Sequence, residues 1–336
     1  MEQNKYEQGL TAYEAGNYAE AFHLFAPLAV EGDTDAQSQL GHLYDAGLGV
    51  EVDLSKAFYW WSKAADEGDS YSQYCIGGMY YRGEGIAQDL QKAFHWFEKA
   101  AVQGYAKAQN NLAIMYENGE GVEEDLSQTL YWFEKAAVQG LASAQHNLAV
   151  MYKNGEGVEE DLAKAVYWYE KAALQEDDSA QYNLGALYYK GEGVEKDLQQ
   201  AVYWFEKAAV QGYESAQNSL GALYYSGEEI EQDLLKAAYW WGKAAEQGHV
   251  KAQHSIAFMY ENGEGVAKDL LKAAYWYEQA AMQEYVNAQY NLGILYANGE
   301  GVAKDSQKAI YWFEKAAAQG DEDAQKNLDI LRANGC

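Results

Sequence analysis

Residues 108–140 read AQNNLAIMYENGEGVEEDLSQTLYWFEKAAVQG, and this stretch decides how the chain folds. Ala108, Leu112 and Tyr116 are four residues apart and share one face of a helix. Gly119 to Asp125, Gly-Glu-Gly-Val-Glu-Glu-Asp, follows. Its glycines can take positive φ, and Asp125 stands just ahead of the next apolar periodicity, where a helix needs an N-cap. A second helix then runs through Trp132, Lys135, Ala136 and Ala137 to Gly140. The stretch is an antiparallel helix pair.

The pair recurs. Trp60, Trp96, Trp132, Trp168, Trp204, Trp240, Trp276 and Trp312 fall 36 residues apart, and a fixed period of that size is the mark of a solenoid. Ala-Gln opens the first helix at Ala36-Gln37, Ala108-Gln109, Ala144-Gln145 and on through Ala324-Gln325. Asp53, Asp89, Asp161, Asp197, Asp233, Asp269 and Asp305 join Asp125 as expected N-caps of the second helices. In the fourth unit Ala165, Trp168, Tyr169, Ala172 and Ala173 form an i, i+3, i+4, i+7, i+8 stripe that faces a core. The tryptophan is expected to fill the space that the alanines leave between close backbones. Lysines such as Lys63, Lys99 and Lys171 complement the dipole of the last turn, and Gly68, Gly104 and Gly140 end their helices in the left-handed region.

Ala-x-x-x-Leu-Gly-x-x-Tyr, Gly-x-Gly-Val-x-x-Asp and Lys-Ala-x-x-Trp-x-x-Lys-Ala-Ala-x-x-Gly together resemble the sel-one-like repeat (SLR), a branch of the tetratricopeptide superfamily. The resemblance spans residues 32–320 as eight units. It implies a right-handed α/α superhelix used as an adaptor or scaffold, in bacteria often in signalling, host interaction or envelope biology. Residues 1–31 resemble a plain tetratricopeptide hairpin, with five residues from Gly16 to Ala21 where Gly47 to Ala57 takes ten. Residues 321–336 carry a lone first-type helix in which Asp329 and Arg332 replace apolar positions, as a solubilising cap requires. The expectation is a capping hairpin, one continuous eight-unit solenoid and a capping helix.

A net charge of −28 opposes approach to phosphates and anionic lipid. Nucleic acid is disfavoured as a partner, which leaves neutral or basic proteins and peptides. No stretch approaches the ~18 apolar residues of a membrane span, and the N-terminus has no basic start or apolar run. Two cysteines, Cys75 and Cys336, make no disulfide framework. A cytoplasmic protein is expected, with export by a route lacking a signal peptide left open. Cys75 occupies a site taken by Asn111, Asn147 or Asn183 elsewhere and reads as a passive side chain.

Chemistry-bearing motifs are sparse. Gly-Glu-Gly-Val-x-x-Asp lacks the third glycine of a dinucleotide loop and follows a helix rather than a strand. The acidic loops, such as Glu120, Glu123, Glu124 and Asp125, lack the spacing of a calcium loop. The six histidines make no His-Glu-x-x-His pair. Some cysteine-rich SLR proteins are described as penicillin-binding or β-lactamase-like, but Ser-x-x-Lys and Lys-Thr-Gly do not occur here. No cofactor or metal is expected, and the chain is read as non-enzymatic.

Positions kept in every unit serve the shared scaffold, so specificity resides where units differ. The site after Ala-Gln reads Ser38, Tyr74, Asn110, His146, Tyr182, Asn218, His254, Tyr290, and the site after the repeated tyrosine reads Asp45, Tyr81, Glu117, Lys153, Tyr189, Tyr225, Glu261, Ala297. Alignment with the tetratricopeptide pattern places them on a concave groove. The candidate partner-binding residues are Tyr74, Tyr81, Asn110, His146, Tyr182, Tyr189, Tyr225, His254, Phe258 and Tyr290. Large aromatics of this sort dominate protein interfaces. The alternative for this set is packing between helices. The expected function is a protein-interaction scaffold, with a secreted or translocated factor binding a host protein and a penicillin-type hydrolase as rivals.

Four departures stand out: Glu229 for a loop glycine, Gln128-Thr129 for Lys-Ala, and Glu176 and Glu284 for the helix-ending glycine. A change of loop or curvature is expected near 176 and 284, because a non-glycine residue in the left-handed region costs about 1 kcal/mol or more.

Overall fold

A computed structural model describes residues 2–228 and 230–333. Glu229 and Cys336 therefore lie outside the described residues. The chain divides into two compact units between Gln175 and Glu176. In the first, α1 (Glu2–Glu14) and α2 (Tyr18–Glu31) form a hairpin, followed by the pairs α3 (Thr34–Ala46) with α4 (Leu54–Asp66), α5 (Ser70–Arg82) with α6 (Leu90–Val102), α7 (Ala106–Asn118) with α8 (Leu126–Val138), and α9 (Ala142–Asn154) with α10 (Leu162–Ala173). The second holds α11 (Asp178–Lys190) with α12 (Leu198–Val210), α13 (Glu214–Ser226) with α14 (Leu234–Glu246), α15 (Val250–Asn262) with α16 (Leu270–Met282), α17 (Val286–Asn298) with α18 (Ser306–Ala318), and a last single helix, α19 (Glu322–Ala333). The described residues hold 19 helices and no strand. The architecture is an all-α solenoid of 36-residue helix pairs.

All eight aspartates cap the second helices as expected. Each carboxylate accepts a backbone N–H, as when Lys92 N–H donates to Asp89 at 3.0 Å. That bond holds the Asp89 carboxyl below its usual range. The same aspartates give their own N–H to the carbonyl of the tyrosine nine residues back, at 3.1 Å for Asp125 and Tyr116. The tyrosine-to-aspartate spacing is thus fixed by the loop. The first helices, by contrast, begin two residues ahead of Ala-Gln, with caps such as Asp33 and Asp69. Ala-Gln lies in the first turn rather than opening it.

The tryptophan at the 36-residue mark is not the centre of each pair. That place belongs to the next aromatic: Phe97, Phe133, Tyr169, Tyr277 and Phe313 are at most 1% exposed. Burying such a ring contributes about 1.5–3 kcal/mol. The facing helix makes room for it, since a Cβ on Gly77 would lie 2.7 Å from the Phe97 ring and one on Gly293 would lie 2.7 Å from Phe313. The repeated tryptophans instead staple neighbours together, Trp96 packing on the core around Trp61 and Ile76 and Trp132 on the core around Phe97 and Leu112.

The turn at 284 corrects the expectation, whereas at 176 the helix α10 ends at Ala173, one residue earlier than its counterpart α8 at Val138. Glu176 at φ 68° and Glu284 at φ 63° take the left-handed conformation that Gly140 takes at φ 93°. Glu284 N–H and Tyr285 N–H donate to Ala281 and Ala280 carbonyls at 3.1 and 3.2 Å, as Gly140 and Leu141 do to Ala137 and Ala136. At 284 the hydrogen-bonded turn is kept, and the glutamate carries the backbone strain.

Candidate functional site

All ten candidate residues lie on first helices. In the first unit these are Tyr74 and Tyr81 on α5, Asn110 on α7 and His146 on α9. Tyr74 sets its ring 5.9 Å from Phe97 and 5.1 Å from Tyr105. Tyr81 donates its hydroxyl to Glu120 on the next repeat's loop at 2.7 Å, which raises the Tyr81 pKa. Asn110 is only 7% exposed, so its amide is turned into the protein. His146 meets Tyr169 edge-on at 5.6 Å.

In the second unit Tyr182 and Tyr189 lie on α11, Tyr225 on α13, His254 and Phe258 on α15 and Tyr290 on α17. Tyr182 lies 5.6 Å from Phe205 and 5.1 Å from Tyr213. Tyr189 is 37% and Phe258 38% exposed. Tyr225 donates to Glu264 at 2.9 Å. His254 packs on Tyr277 and Tyr285, and burial pushes its pKa down. Tyr290 accepts from Asn327 at 3.4 Å.

These side chains do not gather into one catalytic constellation. Tyr74, Tyr81, His146, Tyr182, Tyr225, His254 and Tyr290 set their rings against their own pair's second helix, and contacts between first helices of successive repeats join residues of this face within each unit. Asn291 reaches the His254 ring at 3.3 Å, and Ser38 donates to Asp69 at 3.0 Å. Most of the tyrosines are wedged between helices with one edge left to solvent. Among the described residues no group of three His, Cys, Asp or Glu could hold a metal ion. Burial is the main cause that pushes the Cys75 thiol up to about 12, which leaves it protonated and inert.

Carboxylates belong to the same face and were not among the candidates. Glu117 is partly buried on α7, and burial together with Glu156 on the following loop pushes its carboxyl above the usual range. The middle glutamate of Gly-Glu-Gly, which reads as part of a turn, thus faces the residue after the repeated tyrosine one repeat earlier. The residue pair is 39 apart in Tyr81–Glu120, Glu117–Glu156 and Tyr225–Glu264, a spacing that shows only when consecutive repeats are compared.

A longer period is also present. Tyr74, Asn110 and His146 are followed, 108 residues on, by Tyr182, Asn218 and His254, and then by Tyr290. The geometry follows suit: Tyr182 repeats the ring contacts of Tyr74, and His254 meets Tyr277 at 5.5 Å as His146 meets Tyr169.

Helix pairs of this length, loop and packing define an SLR-type repeat protein. The Sel1 repeat matches residues 34–69, 70–105, 106–141, 142–177, 178–213, 214–249, 250–285 and 286–321, and the chain belongs to the Sel1 repeat family. Sel1 repeat proteins generally serve as protein-interaction scaffolds. The crystal structure of c5321, a protective antigen present in uropathogenic Escherichia coli strains and displaying an SLR fold, is 33% identical with a TM-score of 0.76, over 100% of this chain and 80% of that one. A Sel1 repeat protein from Oxalobacter formigenes is 33% identical with a TM-score of 0.69, over 92% of this chain and 89% of the other. No curated protein matches the chain. No described helix is long and apolar enough to cross a membrane.

Proposed function

We propose that the chain is a non-enzymatic scaffold that holds a neutral or basic protein segment on the face formed by its first helices. One observation carries this reading: the residues that differ between repeats put half-exposed aromatics, such as Tyr189 and Phe258, on that face, where the shared packing does not require them. A ring such as Tyr182, already set against Phe205 on the second helix, loses little freedom when a partner covers it. A photo-crosslinking residue at 189 or 258 tests the reading against one at Tyr239 on a second helix. Crosslinks from the first-helix positions, lost on replacing Tyr182 and Tyr189 by alanine, are the expected result. Crosslinks from 239 alone would overturn it, and covalent labelling by a fluorescent penicillin would overturn the non-enzymatic part.

A second reading, an exported factor that binds a host protein, draws on the likeness to the E. coli protective antigen. Finding the chain in culture supernatant without a cytoplasmic marker supports that reading, and retention with the marker removes it.

A further inference from the structure

Helix-pair packing repeats every 36 residues, so a set of surface residues that recurs at three repeats answers to something else. Two such sets face solvent in part, one around Tyr74 and one around Tyr182, and their ring geometries agree to within 0.3 Å. Beside the first lies a cavity of about 180 Å³ lined by Tyr81, Arg82, Phe97, Asn111 and Ile114. The guanidinium of Arg82, one of its lining residues, lies 3.1 Å from where a Cβ on Gly78 would stand. The second set has Ala186 at the position of Gly78 and Phe205 at that of Phe97.

The rim of this face is acidic. Glu84 ties the Arg82 cation at 2.7 Å, leaving Glu117, Glu120 and Glu156 in excess around the first centre. Around the second, Glu264 accepts from Tyr225, on the repeat following Tyr182 and Tyr189. Glu117, partly buried and repelled by Glu156, lowers stability, and such a cost is typical of a binding surface awaiting its counter-charge.

We propose that the first helices carry two recognition sites, one in each unit and three repeats apart in sequence, centred on Tyr74 and Tyr182, each taking an extended basic segment of a partner protein. This rests on the protein-binding reading above. At the first site an apolar side chain of the segment enters the cavity lined by Tyr81 and Phe97, at the second it lies on the rings of Tyr182 and Tyr213, and at each an adjacent Arg or Lys meets the glutamates. One chain then holds two segments, one in each unit.

The test uses the full chain and an array of nonapeptides, each with one Leu, Phe, Tyr or Trp and one Arg or Lys at every spacing, together with Asp/Glu counterparts. The strongest binder is titrated by calorimetry into the native chain and into Gly78→Ile, Ala186→Ile and the double variant. Isoleucine is compatible with the fold, because Ile114 and Ile294 occupy the same repeat position; circular dichroism and thermal melting check this. The expected result is a basic peptide bound at two per chain, one per chain in each single variant, and at least tenfold weaker in the double. One peptide per native chain, or loss of both sites in a single variant, would overturn the two-site proposal, as would acidic peptides binding as well as basic ones or no peptide binding. Binding lost in Tyr203→Ala on α12, with the isoleucine variants silent, would instead sink the first-helix reading itself.

Discussion

Gln103 donates its side-chain amide to the Oε1 of Gln73 at 2.7 Å, thirty residues back, while Gln73 donates to the Ala65 carbonyl at 3.1 Å. The link ties the end of α6 to the start of α5 and, through Ala65, to α4. It recurs as Gln139–Gln109, Gln175–Gln145, Gln211–Gln181, Gln247–Gln217, Gln283–Gln253 and Gln319–Gln289. At the N-terminal end it fails. Glu67 stands where the later repeats have glutamine, a carboxylate cannot donate, and the buried Gln37 Oε1 has no partner.

Replacing Glu67 by glutamine should therefore stabilise the chain. The new amide supplies the missing donor, a gain of about 1 kcal/mol, and removes a negative charge from a helix C-terminus. The converse, Gln103→Ala, strands Gln73 Oε1 and should cost about 1–3 kcal/mol. Urea titration of both variants checks the pair; equal midpoints for native and Glu67→Gln chains would refute the ladder argument.

The strained turn gives a second expectation. Glu284 at φ 63° makes the same hydrogen bonds as glycine at the equivalent turns. Glutamate pays roughly 1 kcal/mol or more for that backbone. Glu284→Gly should raise the melting temperature, partly offset by the greater freedom of glycine in the unfolded chain. A lower melting temperature would show that the Glu284 side chain contributes something the turn geometry does not reveal.

How much of this was legible follows from where each signal lies in the chain. The helix pair, its aspartate caps and its glycine ends are local, so residues 108–140 alone carry them. The exchange of roles between Trp132 and Phe133 is not local: both belong to the same apolar stripe, and only the neighbouring repeat decides that Phe133 is buried and Trp132 reaches across. The glutamine ladder was readable in principle, because Gln103, Gln139 and Gln175 keep a fixed position ahead of the turn. It passes for polar helix-end sequence until the buried partner is seen. The acidic half of the site was hidden for the same reason, since Glu120 reads as turn and meets Tyr81 only across repeats.

Cys75 should be inert in the folded chain. With its pKa pushed up to about 12, its thiolate at pH 8 is scarcer than that of an ordinary cysteine by roughly a thousandfold or more. In a Cys336→Ser background, which leaves one thiol, iodoacetamide should modify Cys75 at a measurable rate only after denaturant is added. Prompt alkylation of the native chain would show that α5 opens.

Glu117 ties stability to the face that binds. Burial and Glu156 raise its pKa, so the folded chain holds the proton more tightly than the unfolded chain does, and stability from this group rises as pH falls through the raised value. At neutral pH the ionised carboxylate is a liability that glutamine lacks. Glu117→Gln should melt above the native chain at pH 7, and the difference should close as pH falls from the raised value towards about 4.3, the ordinary glutamate pKa. The same substitution should weaken binding of a basic peptide at the first site and leave the second, around Tyr182, untouched. Melting curves from pH 4 to 8 with parallel peptide titrations read both effects. A variant that is no more stable at pH 7, or that binds the peptide as tightly as before, would mean that Glu117 is an ordinary solvated carboxylate with no part in recognition.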